Sequence, residues 1–281
     1  MSILENSHRL KERILGLLDE ANQQEEGLKS DWRGLQSVSA VLLVLGMQGD
    51  ETGSSQEPCL ILNKRSSKVR QAGDLCCPGG RVSPRLDHYL AKFLTLPVFP
   101  LARWPHWSVW RNQRPEEACR LALLLATSLR ESYEEMRLNP LKVQFLGALP
   151  TQELLMQQRV IYPMVGWISN QDTFKPNWEV EKVVSISLKD LLDHSYYARY
   201  RISFTPGSDQ SFRLPTNDFP CFIHKNQDEE EVLWGATYRI VTTFLRLICN
   251  FTPPDLATLP VVPGILDENY YNGSPKKQTA F

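Results

Sequence analysis

One stretch constrains the fold more than any other. Residues Pro115–Met136 keep a helical apolar spacing for about six turns. Pro115 suits a first-turn position, where its missing N–H costs nothing. Asn139 and Pro140 then end the helix. Around this helix lie short Val- and Leu-rich segments that read as strands: 37–45, 59–63, 143–149, 160–168 and 183–188. Residues 46–58 are polar and contain Gly, and read as a loop or hairpin tip between the first two. Ile3, Leu10, Ile14, Leu17 and Leu18 predict an amphipathic helix over 3–22, and 234–249 reads as a closing helix. Strands alternating with helices make an α/β or α+β domain.

Its core spans about 36–250, with an N-terminal helical extension over 1–35 and a Pro-rich tail over 251–281, a strap or a disordered tail. Within the core, residues 84–115 hold five of the 19 prolines together with Trp104, Trp107 and Trp110. That is too aromatic for a disordered linker, so the segment reads as an irregular insertion. Its tryptophans fit a lid that stacks on a base, plain packing, or a dimer contact.

Composition removes several function classes. Thirty-one Lys+Arg against 32 Asp+Glu give a net charge of −1, which argues against a duplex-DNA binder. The six cysteines form no CxxC pair and no zinc-type spacing with the five histidines, so they read as free thiols. The N-terminus carries charges where a signal peptide needs an apolar core, and no apolar run approaches bilayer length. The expectation is a cytoplasmic protein with no membrane or nucleic-acid partner.

The chemistry concentrates at Arg130-Glu131-Ser132-Tyr133-Glu134-Glu135. Glu131, Glu134 and Glu135 are spaced i, i+3, i+4, which sets their carboxylates on one helix face. Clustered like charges repel, and clustered oxygens without nearby Cys or His favour a hard cation, Mg²⁺ or Mn²⁺. A plain solvated acidic face is the competing reading. Upstream, Lys64, Arg65, Lys68 and Arg70 form a basic cluster able to hold a phosphate, ahead of Gly79-Gly80. Asp228 to Glu231 form an acidic run that favours the N-terminus of the closing helix.

Pro78-Gly79-Gly80 followed by Arg130-Glu131-Ser132-Tyr133-Glu134-Glu135 resembles the box of the Nudix hydrolases. Leu62-Asn63-Lys64-Arg65-Ser66 with Arg70 and Gly73, Phe145 to Pro150, Glu179-Val180 and Leu233 to Thr237 resemble, in order, further motifs of the coenzyme A diphosphatase branch. The resemblance implies a Nudix-type α/β/α sandwich with a mixed sheet. It implies metal ligands at Glu131, Glu134, Glu135 and the Gly80 carbonyl, with one carboxylate as base for the attacking water. Arg130 would orient a box carboxylate. Lys64, Arg65 and Arg70 would bind the substrate, and Glu179 is a candidate acid outside the box. The implied activity is Mg²⁺- or Mn²⁺-dependent cleavage of a pyrophosphate bond in a nucleoside diphosphate derivative. For coenzyme A or an acyl ester the products are 3′,5′-ADP and a 4′-phosphopantetheine. The alternatives are an ADP-ribose or NADH pyrophosphatase, and a non-catalytic nucleotide-binding module. A homodimer is compatible with either.

The departures are specific. The spacer between Gly80 and Arg130 is far longer than a loop variant explains, so its acidic residue is open among Asp87, Glu116 and Glu117. Arg137 replaces the box's last Gly, which predicts a helix without its left-handed terminator. Cys77 and Gln71 stand where the branch has Phe and often His.

Overall fold

The computed structural model describes residues 3–24, 37–49, 56–154, 159–169, 173–204, 218–226, 229–266 and 270. The chain opens on helix α1 (Ser7–Gln24). The Asn6 side chain caps it by accepting from the N–H groups of His8 and Arg9, both at 3.1 Å. Leu10, Ile14 and Leu18, one turn apart, are fully buried.

Eight strands build the main sheet: β1 (Ser37–Gly49), β2 (Gln56–Arg65), β3 (Leu75–Cys76), β4 (Gly79–Arg81), β5 (Val143–Ala148), β6 (Gln152–Leu154), β7 (Arg159–Ile168) and β8 (Val180–Ser187). The path is β3-β2-β1-β7-β5, with β4 on β1, β6 on β7 and β8 on β2. Only β1 and β7 run parallel, from Ser37 opposite Arg159 to Leu45 opposite Trp167. The sheet is therefore mixed, as expected. The first hairpin is longer than its polar sequence predicts, because β1 runs on to Gly49 and β2 starts at Gln56.

Alternation along β1 sorts the two layers. Ala40, Leu42 and Val44 face α4 (Pro115–Met136), and Leu43 and Leu45 face α1 and α6 (Gly235–Cys249). The result is a helix/sheet/helix sandwich.

The segment 84–115 is more ordered than its prolines suggest. It forms α2 (Leu86–Phe93) and α3 (Trp107–Gln113), both packed on α4. This explains why α4 is buried on nearly every side from Leu121 to Leu129. Trp104, Trp107 and Trp110 are buried; Trp104 packs edge-on against Phe145, and the Trp110 Nε1–H donates to Asp19 Oδ1 at 3.2 Å. They pack the core and form no lid.

A short helix α5 (Leu188–Leu191) follows the main sheet. A second sheet, which the sequence reading did not foresee, has the order β11-β10-β9-β12. It consists of β9 (Tyr197–Phe204), β10 (Asp218–Asn226), β11 (Glu229–Leu233) and β12 (Val261–Leu266). The acidic run over 229–231 is thus strand, not the approach to a helix. Glu231 is buried in ion pairs with Lys64 and Lys182. The Pro-rich stretch after residue 250 acts as a strap: β12 runs parallel to β9, and Tyr270 is buried beyond it. Residues 267–269 and 271–281 of that stretch, and residues 1–2 and 25–35 of the N-terminal extension, lie outside the described residues. Among the described residues, no helix is long and apolar enough to cross a membrane.

Candidate active site

The sheet end formed by the start of β1, the end of β2, β4 and the start of β7 collects the chemistry. The last turns of α4 pass over it. Arg130 is the hub. Its Nε donates to Asp87 Oδ1 at 2.6 Å and its Nη2 to Asp87 Oδ2 at 3.2 Å. Its Nη1 lies 3.0 Å from Glu131 Oε1 and 3.3 Å from Glu134 Oε2. Burial works against this guanidinium's charge, but Asp87, Glu131 and Glu134 together outweigh it and hold the proton more tightly than usual.

Asp87 is fully buried and also accepts from the Thr127 hydroxyl and the Ser83 N–H, each at 2.7 Å. Of the three acids left open by the sequence, the structure brings this one to the box. Glu116 and Glu117 lie at the far end of α4, where they face Arg120 and Arg114. Asp87 rides on α2, so the insertion delivers the group that orients Arg130.

Glu135 points the other way along the same face. Its Oε2 accepts from Asn63 Nδ2 at 2.8 Å. Burial pushes its carboxyl up to about 7; the Asn63 bond opposes this and the charge of Glu131 adds to it. Glu131 is raised as well, by burial first, with Arg130 pulling it back. Glu134 is half exposed. Asn63 itself is fully buried, and its Oδ1 has no partner among the described residues.

Gly80 lies opposite Ala40 of β1. A Cβ at this position would fall inside van der Waals contact of the Glu131 carboxylate, and one at Gly79 would strike the backbone of Ala40 and Val41. The Gly-Gly pair is therefore a steric demand of bringing α4 and β4 together.

The basic loop after β2 is closed on itself. Arg65 Nε donates to the Arg70 carbonyl at 2.8 Å, and Gly73 N–H to the Arg65 carbonyl at 2.9 Å. Asp74 anchors its far side, accepting from Trp234 Nε1 at 3.0 Å and the Tyr270 hydroxyl at 2.7 Å. Burial lifts Asp74 to about 6. Arg65 faces the box and acts on the charge of Glu135.

Lys64 does not join this group. One residue along the strand reverses the face, and its Nζ sits 3.0 Å from Glu231 and 3.2 Å from Glu181. The Glu179 backbone carbonyl accepts from Ser66 N–H at 2.8 Å, which fastens that turn to the basic loop.

Arg137 corrects an expectation. It takes the left-handed conformation itself, φ 58° and ψ 34°, and its N–H bonds the Tyr133 carbonyl. The terminator is present without glycine.

Asn63 was not singled out from sequence. It interrupts an apolar strand, the one signal that could have marked it. Among the described residues, no three His, Cys, Asp or Glu side chains converge on a point that could hold a metal ion. Glu131 and Glu134 turn instead onto Arg130.

No protein-family model and no curated protein matches the sequence. Comparison of the fold with solved structures does find similar chains. A MutT/nudix family protein from Enterococcus faecalis has TM-score 0.42 and 11% identity, over 87% of this chain and 75% of that one. A Nudix hydrolase from Nitrosomonas europaea has TM-score 0.38 and 12% identity, over 83% and 79%. An Ap4A hydrolase of C. elegans has TM-score 0.34 and 13% identity, over 56% and 83%. Likeness at this level carries no conclusion about activity, which has to come from the site's own residues.

Proposed function

We propose that this chain is a Nudix-type hydrolase that cleaves the pyrophosphate bond of a nucleoside diphosphate derivative. One observation supports this above the rest. Glu131 closes on Gly80, where any Cβ would strike its carboxylate, and Glu131 and Glu135, the two most buried of the three acids on the last turns of α4, hold their protons above the usual range. Oxygen donors of this kind suit a hard cation, which would have to draw Glu131 and Glu134 off Arg130 to be held by all three acids. Glu131, Glu134, Glu135 and the Gly80 carbonyl would hold Mg²⁺ or Mn²⁺. When bound, the ion would neutralise diphosphate oxygens and lower the pKa of a water.

The chain's own residues supply the remainder. Arg65 and Arg70 take the diphosphate by their forked donors. Glu134, the most exposed of the three acids, accepts the proton of the attacking water. Water adds to one phosphorus, the bridging oxygen leaves with the other, and two phosphomonoesters result. Arg130, fixed by Asp87, holds Glu131 and Glu134 in place between turnovers. The ordered motifs favour coenzyme A or an acyl ester, giving 3′,5′-ADP and a 4′-phosphopantetheine. Cys77 and Gln71 keep ADP-ribose and NADH as the second reading. The pairing of two carboxylates with Arg130 favours a third, a nucleotide-binding module without turnover.

The test is hydrolysis of coenzyme A, acetyl-coenzyme A, ADP-ribose, NADH and a diadenosine polyphosphate with Mg²⁺ and with Mn²⁺, wild type against Glu134→Gln. The expected result is turnover of at least one substrate, falling about 100-fold or more in the variant with an unchanged melting temperature. Full activity of Glu134→Gln would remove its assigned role. Selective nucleotide binding without hydrolysis would bring the third reading forward.

A further inference from the structure

Helix α2 presents different chemistry on different sides. Asp87, Ala91 and the following Leu94 turn inward, and Asp87 carries the link to Arg130. Leu86, Tyr89 and Phe93 are exposed, and at about 100° per residue they lie within about 60° of one another. Tyr89 is 63% exposed and Phe93 55%. The Leu96 N–H donates to the Phe93 carbonyl at 3.0 Å, which holds the next turn against the helix end. That turn leads on to Val98, and Leu96 and Val98 are exposed as well. Of the eleven large apolar side chains exposed among the described residues, five fall within 86–98. Single exposed apolar residues are ordinary, whereas a concentration of them marks a surface that meets something.

The charge around this stripe has one sign. Residues 82–114 contain a single acid, Asp87, which is buried against Arg130. Arg85, Lys92, Arg103 and Arg111 are exposed, and none has an acidic partner among the described residues. Arg85 and Lys92 lie about 40–60° from Tyr89 around α2, along one edge of the apolar stripe. The Lys92 ammonium sits over the Tyr89 ring at 5.7 Å from its centre. An apolar ridge with a cationic edge fits a surface that is anionic outside and apolar a few ångströms in, which is the boundary of a bilayer holding acidic lipids. A second copy would set these unpaired cations against their own kind. A protein groove would have to match a row of protruding side chains and carry the acids too, whereas lipid needs no matching shape.

We propose that this face of the insertion docks the protein on an anionic lipid bilayer. Tyr89, Phe93 and Val98 enter the boundary between headgroups and acyl chains, and Arg85 and Lys92 meet lipid phosphates. The protein lies on the membrane and does not cross it. The sequence expectation of no membrane partner rests on apolar runs too short to span, and that bears on crossing alone. The surface stands apart from the pyrophosphatase reading, although the helix that meets lipid is the one that delivers Asp87.

The test is co-flotation of the full chain with phosphatidylcholine vesicles, with and without phosphatidylserine. Wild type should bind the serine-lipid vesicles at least about tenfold better, and added salt should weaken this. Lys92→Glu should lower the binding by about tenfold, and the pair Tyr89→Ser and Phe93→Ser by more than about tenfold. The melting temperature should not move, because these side chains are exposed. Val98→Ser lies outside α2 and should lower the binding by about fivefold, so the test holds even if the α2 variants fail to fold. No binding, equal binding to the two vesicles, or binding that the serine substitutions leave unchanged would overturn the proposal. A loss with Lys92→Glu but not with the serine substitutions would mark adsorption by charge alone and overturn it too. Sedimentation without lipid should give the same mass for wild type and Val98→Ser. A dimer lost in that variant would assign the face to a second copy. Docking by a protein that hydrolyses nothing would leave this proposal standing and remove the hydrolase reading, and hydrolysis without docking would do the reverse.

Discussion

Two neighbouring residues on β2 lead to two charge clusters of opposite character. Lys64 points to the second sheet, where its ammonium meets Glu231 as well as Glu181 of the neighbouring β8, and Lys182, also on β8, meets Glu231 and Glu229. Burial there disfavours the Lys64 charge, but the Glu231 and Glu181 bonds outweigh it and hold the proton more tightly than usual. Each charge has a partner of the other sign. Asn63 points to the opposite face, where Glu135 and Glu131 sit at raised pKa and Arg130 is the main cation among them. The first cluster is electrostatically complete and fastens two sheets together. The second is incomplete, and that is where a cation and a phosphate would find work.

The largest effect that would break this contrast lies at Asp87 and Glu231, both buried acids. Asp87→Ala strands Arg130 with its bidentate partner gone, and should cost about 3 kcal/mol, roughly 10 °C in Tm. It should also remove turnover, since Arg130 no longer holds its place. Glu231→Gln should cost about 1 kcal/mol, because Lys64 and Lys182 are 20% and 32% exposed and can turn to water. It should leave kcat within about twofold. Thermal melts and steady-state kinetics of both variants settle the matter. Turnover lost equally in the two would mean that the second-sheet cluster belongs to the site.

A smaller effect sharpens the contrast through pH. The Glu135 carboxyl, near 4.5 when unfolded, is pushed up to about 7 in the metal-free fold, mainly by burial. The native state then binds more protons than the unfolded chain across this window, so stability falls as pH rises from about 4.5 to 7. The Tm of metal-free protein should drop by several degrees between about pH 5 and pH 8. Mg²⁺ should restore it at the higher pH and not at the lower, where protons compete for the same oxygens. Glu135→Gln should flatten part of the slope. Asp74, lifted to about 6 by burial, accounts for a further part with the same sign. A slope identical in wild type and Glu135→Gln would place the proton elsewhere.

How much of this could be read beforehand follows from where each signal resides. The helix Pro115–Met136 and the carboxylates on its last turns were legible, because proline, apolar spacing and i, i+3, i+4 geometry are local. Gly80 was legible through its motif, though its reason, the approach of Glu131, is tertiary. The second sheet was not legible. Its strands carry Pro220, Pro263 and dense charge, which read as loop, yet the charges are cross-strand partners. Arg201 pairs with Asp218 at 2.7 Å and Lys225 with Glu230 at 2.9 Å, each directly opposite in register. The choice of Asp87 over Glu116 and Glu117 needed the fold of the insertion. The pairing of Lys64 with Glu231 and Glu181 was not legible either, because a run of basic residues does not show which face of a strand each occupies.

The smallest effect concerns the end of α4. Arg137 occupies a left-handed conformation that costs a residue with a Cβ about 1 kcal/mol or more. It persists because its own N–H and that of Leu138 satisfy the Tyr133 and Ser132 carbonyls, and the guanidinium lies 4.9 Å over the Tyr133 ring. That ring contact at an exposed position is worth about 0.5 kcal/mol. Arg137→Gly removes both the strain and the contact. The expected net is a gain of about 0.5 kcal/mol, or 1–2 °C in Tm, with kcat unchanged because the residue lies beyond the carboxylates. A lower Tm would show that the contacts of Arg137 outweigh its strain. A changed kcat would show that this last turn sets the geometry of Glu134 and Glu135, and that the incomplete cluster extends past the box.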